Sequence, residues 1–397
     1  MLQALLCYQN KIIPIAGSFI AFGLLAEAVG HVQVKEALLL LATFVSGSSI
    51  FIKAYKKLPL AVFSIEMLLT LSVAGALYLQ EYMEAAAVTF LFLLGAYLEN
   101  CALAKVRAKL NNLSEIIPDM LPGKTQHKLV VGGQLVELME EAVEATTKAE
   151  QSLENFAAVY TPMVLLLSAF VFIATQYLHK AVAILAVACP GALLIGAPAS
   201  IAAGIGNGAN NGLFFKCGAA MEKLSKVNAL VIDRLSFEQM ANGGETKNIA
   251  TALKRVGINK VHVALSADEK VERVKQWQAE GRFVAVAGSG IEDAAAMVTA
   301  NVGIAIGSQS IDALPIADVI LIDSTLQRLS SACRLAQDTI SNRRQNICLA
   351  VAGAFFLLGS ILFDFTQLAG GMLIHEVGIL LVTLNAVRLA CRKYLFQ

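Results

Sequence analysis

The sequence predicts a mainly α membrane protein with about eight transmembrane helices and one cytoplasmic α/β domain. Three observations carry that expectation. Hydrophobic residues fill 57% of the 397 positions and charged residues only 15%, where a soluble domain holds roughly a quarter charged. Apolar runs long enough to cross a hydrocarbon core, about 20 residues, recur along the chain. One long segment instead alternates short strand-like and helix-like stretches.

The first four apolar runs are Ile12–Val29, Val34–Ile52, Leu58–Leu79 and Ala85–Ala104. Tyr160–Tyr177 and Ala181–Gly204 form a middle pair, and Ile347–Phe363 and Leu368–Leu389 a last pair. Cations cluster on one side of these runs. Lys53, Lys56 and Lys57 follow the second, Lys105, Arg107 and Lys109 follow the fourth, Arg343 and Arg344 precede the seventh, and Arg388, Arg392 and Lys393 close the eighth. The opposite connections hold only Lys35 and Lys180. The positive-inside rule then puts both termini and both large inserts in the cytoplasm. The N-terminus shows no basic stretch followed by a cleavage site, so no removable signal peptide is expected. A net charge of +1 gives no basic field for nucleic acid, and the bilayer is the expected surroundings. The seven cysteines include no CxxC pair and read as reduced thiols. Cys7, Cys101, Cys333, Cys348 and Cys391 have no partner at metal-ligand spacing and are expected to pack.

Two inserts lie between the runs. Val106–Ala157 is short and polar, with a helical stretch expected over Gln134–Ala157. Leu213–Asn342 alternates strand-like runs (Ala229–Ile232, Lys260–Ala264, Arg282–Val286, Val302–Ile306, Val319–Leu321) with helix-like ones (Thr246–Val256, Asp268–Gln278, Ile291–Thr299, Ser310–Ala317). That alternation predicts a parallel sheet covered by helices on both faces. The expected organisation is therefore helices 1–4 over residues 1–105, a cytoplasmic segment over 106–157, and helices 5–6 over 158–212. The α/β domain takes 213–342 and helices 7–8 take 343–397. The glycines 204, 206 and 208 do not follow a strand in a βαβ unit, and read as a glycine-rich helix end rather than a dinucleotide loop.

The stretch Cys189-Pro190-Gly191-Ala192-Leu193, followed by GAPASIAAGIGNGANNGLFFKCGAAMEKLSKVNALVIDRLSF, resembles the heavy-metal-transporting P-type ATPases. Those proteins carry CPC-A-L, a glycine- and alanine-rich helix, G-x-x-x-K-G-x-x-x-E-x-L and then DKTGT. Further similarities run in the same order: Ala267-Asp268-Glu269-Lys270 at the family's P-E-D-K-like segment, Gly288-Ser289-Gly290-Ile291-Glu292-Asp293 at GDGxND, then VGIAIG and Ala317-Asp318. Glu84-Ala85-Ala86-Ala87 and Tyr160-Thr161-Pro162 match the front of the family. The resemblance implies a haloacid-dehalogenase-like, Rossmannoid α/β domain, with Asp233 as the aspartate that takes phosphate from ATP and Lys270 and Asp293 beside it. Asp233 and Asp293 would be the Mg²⁺ carboxylates.

The departures from the family are equally specific. The phosphorylation motif reads Asp-Arg-Leu-Ser-Phe from Asp233, and only Glu238 to Ala241 separate Phe237 from Asn242-Gly243-Gly244-Glu245, a degraded TGD motif. Where the family inserts its nucleotide-binding domain there is almost nothing. Ser289 stands at the first aspartate of GDGxND and Glu292 at its asparagine. The actuator-like segment is reduced and lacks TGE, whose glutamate positions the hydrolytic water. The sequence therefore describes a minimal member of the family, in which autonomous ATP hydrolysis is not expected.

The membrane site keeps more of its chemistry. Pro190 inside a span frees backbone carbonyls, which is tolerated where they line a cavity, and Cys189 beside it offers a soft thiolate. Gly191 replaces the family's usual second cysteine. In the last span His375-Glu376-Val377-Gly378 resembles the H-E-G-G-S/T pattern of members linked to cobalt, iron, nickel or zinc. An ionisable pair within a span is a functional-site candidate by default, and Cys189, His375 and Glu376 together suit a divalent first-row ion: Zn, Fe, Co or Ni. A pair lying at the outer interface and simply hydrated is the alternative. Glu66 is a candidate relay carboxylate, and Asp364 in the short exterior turn is expected to be solvated.

Three functions stay open at this point. The first is a reduced divalent-metal transport protein of a bacterial cytoplasmic membrane. The second is a pseudoenzyme, a scaffold or metal-sensing subunit docking a partner such as a full-length ATPase. The third is a residual Mg²⁺-dependent phosphatase using Asp233.

Overall fold

The computed structural model describes residues 2–57, 65–111, 160–188, 191–233, 237, 253–264, 266–288, 291–307, 316–322 and 326–392. The chain divides into two compact units. The first takes Met1–Ala104, Ala149–Ala197 and Gln345–Asn385, and the second Lys105–Lys148, Pro198–Arg344 and Ala386–Gln397.

The first unit is helical. It is built from α1 (Leu2–Ala28), α2 (Val32–Lys57), α3 (Ile65–Tyr78), α4 (Tyr82–Asn111), α5 (Tyr160–Thr175), α6 (Leu178–Val187), the start of α7 (Gly191–Asn210), and parts of α11 (Leu326–Leu362) and α12 (Leu368–Cys391). Its core is aliphatic, with Leu68, Leu69, Val73, Val88, Val182, Ile184, Ile361 and Met372 packed together. Several small polar residues of this unit are satisfied by neighbouring backbone, which an apolar interior favours. Ser46 donates to Ala42 O at 2.6 Å, Ser72 to Val182 O at 3.0 Å, and Ser168 to Ala181 O at 2.8 Å. Large side chains face outward instead, Leu166 at 71% exposure and Phe355 at 73% among them. In a chain this apolar such faces are lipid-facing surface, and this is a membrane protein. Among the described residues two helices, Arg328–Leu362 and Leu368–Cys391, are long and apolar enough to cross a bilayer. The bent pair Val32–Ser48 and Ile50–Lys56 makes a third if counted as one span, and shorter apolar helices occupy the other expected runs.

The second unit holds the α/β fold. After α7 come β1 (Leu213–Phe215), α8 (Gly218–Ser225), β2 (Ala229–Asp233), β3 (Lys260–Ala264), α9 (Ala267–Ala279), β4 (Val284–Gly288), α10 (Ala294–Thr299), β5 (Val302–Ile306) and β6 (Val319–Leu321). The strands form one sheet in the order β1-β6-β5-β4-β2-β3. Side chains alternate between its faces as strand geometry requires. Leu230, Ile232, Ala285 and Ile304 pack with Met221, Leu329 and Leu335, while Ala229, Val231, Val284 and Val286 pack with Val274, Trp277 and Met297. Both faces are thus covered. The strands are near-continuous apolar runs for that reason.

The expectation of an all-parallel sheet needs one correction. β1 pairs antiparallel with β6, Leu213 opposite Leu321. Three apolar residues after a glycine carry no periodicity that separates a strand from a helix end. Gly212 at φ +69° makes the turn that brings them back. β4 starts later than expected, at Val284 rather than Arg282, and the stretch from Ile291 opens as a 3-10 turn, Ile291–Asp293, before α10. α9 begins where Ser266 caps it, accepting a hydrogen bond from Glu269 N at 3.3 Å, half of a capping box. Most of Val106–Ala157, most of Thr246–Val256 and most of Ser310–Ala317 lie outside the described residues.

Candidate functional site

Asp233 is the last residue of β2, in register with Ala264 of β3, and the neighbouring β4 ends at Gly288. Carboxyl ends of parallel strands where the connections diverge are where open α/β sheets gather their ligands. Lys270, on the first turns of α9, reaches this edge. Its ammonium donates to Asp233 Oδ1 at 2.8 Å and to Asp293 Oδ1. Lys270 and Asp293 are both 4% exposed. Burial alone would lower the Lys270 pKa, but the bonds to Asp233 and Asp293 outweigh it and hold the amine above its ordinary value. Burial pushes the Asp293 carboxyl up, with Lys270 pulling the other way. Asp293 can come this close because Gly288 has no side chain: a Cβ there would overlap the Asp293 carboxylate. Asp233, Lys270 and Asp293, expected together, are together. Ser289 and the Asn242–Glu245 stretch lie outside the described residues.

The second constellation is in the helical unit. His375 and Glu376 are 6% and 5% exposed, so the solvated alternative does not hold. Successive helix residues point about 100° apart, and each of these meets a glycine on a different neighbour. Glu376 lies against Gly95 of α4, where a Cβ would overlap its carboxylate. His375 Nε2 lies over Gly191 at the start of α7, and no described atom bonds to it. Cys189 and Pro190 lie outside the described residues, two and one positions before Gly191. Tyr160, at the start of α5, donates to Ala188 O at 2.6 Å, holding the carbonyl at the end of α6. Glu66 sits half-buried on α3, its carbonyl accepting from Thr70 at 2.7 Å. Asp364 is exposed, as expected, and pairs with Lys180 at 2.7 Å. No three His, Cys, Asp or Glu side chains among the described residues form one metal-type cluster. Of the cysteines expected to pack, Cys333 is buried, whereas Cys348 and Cys391 are exposed.

Sequence reasoning did not single out Gly95 or the bond from Tyr160. An isolated glycine within an apolar helix signals close approach of another group, but not of which group.

No protein-family profile matches the chain. It is 32% identical over 159 residues to the zinc-transporting ATPase of Bacillus subtilis, covering 40% of this chain and 25% of that one. Against a probable cadmium-transporting ATPase of Alkalihalophilus pseudofirmus the identity is 20% over 611 residues, covering 94% of this chain and 84% of the relative. The curated proteins it resembles are heavy-metal-transporting P-type ATPases. The fold agrees: a crystal structure of a zinc-transporting PIB-type ATPase in the E2.Pi state superposes over 96% of the chain, with a TM-score of 0.58 at 19% identity. The chain spans a quarter of the length of the zinc-transporting relative.

Proposed function

We propose that this P-type ATPase relative binds a divalent heavy-metal cation within the membrane and passes it across. The observation that carries this reading is the buried His375–Glu376 pair, seated on two glycines of two other helices. Buried ionisable groups in a span are costly and are retained where they handle ions. Cys189 would add a thiolate beside Pro190 in the sequence. Histidine, carboxylate and thiolate together suit Zn²⁺, Fe²⁺, Co²⁺ or Ni²⁺ better than a purely soft ion. In this reading all eight apolar runs cross the bilayer of a bacterial cytoplasmic membrane, with both termini and both inserts inside. The five-part division at 105, 157, 212 and 342 follows from that topology.

ATP hydrolysis by this chain alone is not part of the reading. Residues 234–269 are all that separate Asp233 from Lys270, too few to hold a nucleotide-binding domain. The A. pseudofirmus comparison runs over 611 residues within 94% of this 397-residue chain, so the length difference falls inside the aligned region. A partner, such as a full-length ATPase, or an ion gradient would supply the energy.

The convergence of Asp233, Lys270 and Asp293 favours a second, subsidiary reading: weak phosphate binding or phosphatase chemistry. Mg²⁺ takes one or two carboxylates and fills its octahedron with phosphate and water, a donor set that Asp233 and Asp293 meet. They would hold the ion, and it would supply charge neutralisation at a phosphoryl group. Lys270 keeps the two carboxylates together and presents a fixed positive charge to the same anion.

Metal stoichiometry of the purified chain tests the main reading. Wild type is expected to bind one Zn²⁺ or Co²⁺ equivalent, with affinity falling at least tenfold in His375→Ala and in Cys189→Ser. Unchanged binding in both variants sinks the membrane site and leaves the scaffold role.

A further inference from the structure

The sheet of the α/β unit ends in two unlike edges. β1, at one end of the strand order, has all three residues buried. β3, at the other end, pairs with β2 over five residues in unbroken parallel register and has no strand on its outer side among the described residues. Val261 and Val263 share one face there and are 38% and 37% exposed. Native edges are usually blunted by a proline, a bulge or a free charge, and β3 has neither of the first two. Its polar side chains are turned onto α9 instead. Lys260 lies over the Trp277 ring at 5.9 Å and bonds Glu280 at 3.3 Å, and His262 bonds Glu269 at 3.1 Å.

The two ends of this edge differ in charge. Exposed Lys254, Arg255 and Lys260 lead into β3, and exposed Asp268 and Glu272 follow it on α9. A strand that suits the edge is apolar at its centre, acidic beside the start of β3 and basic beside its end. An antiparallel copy of β3, with its own flanks, is all three.

We infer that β3 is a self-association edge, through which two copies of this chain pair β3 to β3 about a twofold axis and join their sheets. Such an interface is isologous, the same patch meeting itself. Main-chain hydrogen bonds carry it, and side-chain pairs fix its register. With His262 opposite His262 of the second copy, Val261 of each lies opposite Val263 of the other. The basic entry to each β3 then stands beside the acidic start of the other copy's α9. Neither the membrane site nor Asp233 takes part.

The mass of the full chain in detergent, followed by light scattering and sedimentation over a wide range of protein concentration, tests this. Wild type is expected to pass from monomer to dimer. V261K combined with V263K sets lysine opposite lysine at positions that are exposed in the single chain, and is expected to weaken the dimer by about tenfold or more. K254E with R255E is expected to weaken it several-fold, and adding D268K with E272K to restore it, because the exchange leaves the two ends complementary. That rescue serves if the lysine pair does not fold. H262C sits at the twofold axis and is expected to form an interchain disulfide on mild oxidation, above the level that exposed Cys348 and Cys391 give in wild type. V298C, exposed on α10, is expected to stay at the wild-type level. A chain that is monomeric at every concentration overturns the inference. So does a dimer indifferent to both sets of charge changes, or H262C cross-linking no better than V298C, since the copies then meet elsewhere.

Discussion

Glycines decide both sites at the scale of single residues. Gly288 lets Asp293 close on β4, and Gly95 lets Glu376 close on α4. Gly95→Ala must displace a buried carboxylate, and overpacking of this kind costs about 1–3 kcal/mol. We expect it to lower metal affinity at least tenfold by isothermal titration. Gly378→Ala, with nothing within 4 Å of its added carbon, should leave affinity unchanged and should not lower the thermal midpoint, since alanine favours a helix interior over glycine. Lys270 is the other residue whose role is narrow enough to test. Its pKa is raised in the folded chain, so its ion pairs contribute fully below the ordinary lysine value of about 10.4. That contribution is lost as pH climbs through the folded value. Thermal stability should therefore fall on the alkaline side in wild type, and that fall should be absent in Lys270→Met. At neutral pH the variant should be destabilised by about 3–5 kcal/mol, since the buried Asp293 and the partly buried Asp233 lose this cation.

Elements are held by bonds between segments far apart in sequence. Asn207, buried on α7, donates to Leu389 O at 2.6 Å and Arg392 O at 2.8 Å, closing the C-terminus of α12. Arg392 pairs with Asp338 of α11 at 3.0 Å. Helix ends leave carbonyls unpaired, and here one amide covers two of them. Asn207→Ala should cost about 1–3 kcal/mol, at roughly 0.5–1.5 per bond, read as a lower thermal midpoint. Asn207→Asp, which cannot donate, should do the same. How much of this was legible follows from chemistry rather than count. β2 through β6 and α9 were readable because their apolar runs and caps are local properties. β1 was not, because its pairing with β6 depends on the turn at Gly212 and on a partner about a hundred residues later.

For the whole molecule the proposed function predicts a division of labour: a metal pathway that works and a motor that does not work alone. Vesicles reconstituted with the purified chain should take up Zn²⁺ or Co²⁺ down a gradient at the same rate with and without ATP. Acid-stable labelling from ATP should be absent in wild type, as it is expected to be in Asp233→Asn. ATP-stimulated uptake lost in Asp233→Asn would refute that division and restore the full pump cycle.

The sequence by itself determined the apolar frame, the α/β insert, the shortness between Asp233 and Lys270, and the candidates Asp233, Lys270, Asp293, His375 and Glu376. Hydropathy, alternation and motif order are written residue by residue, so they need no neighbours to be read. Only the tertiary structure decided that Lys270 joins Asp233 to Asp293, that the His375–Glu376 pair is buried rather than solvated, and that its two members face different helices. Burial and convergence are properties of packing, set by which helix lies over which glycine, and no local pattern encodes them.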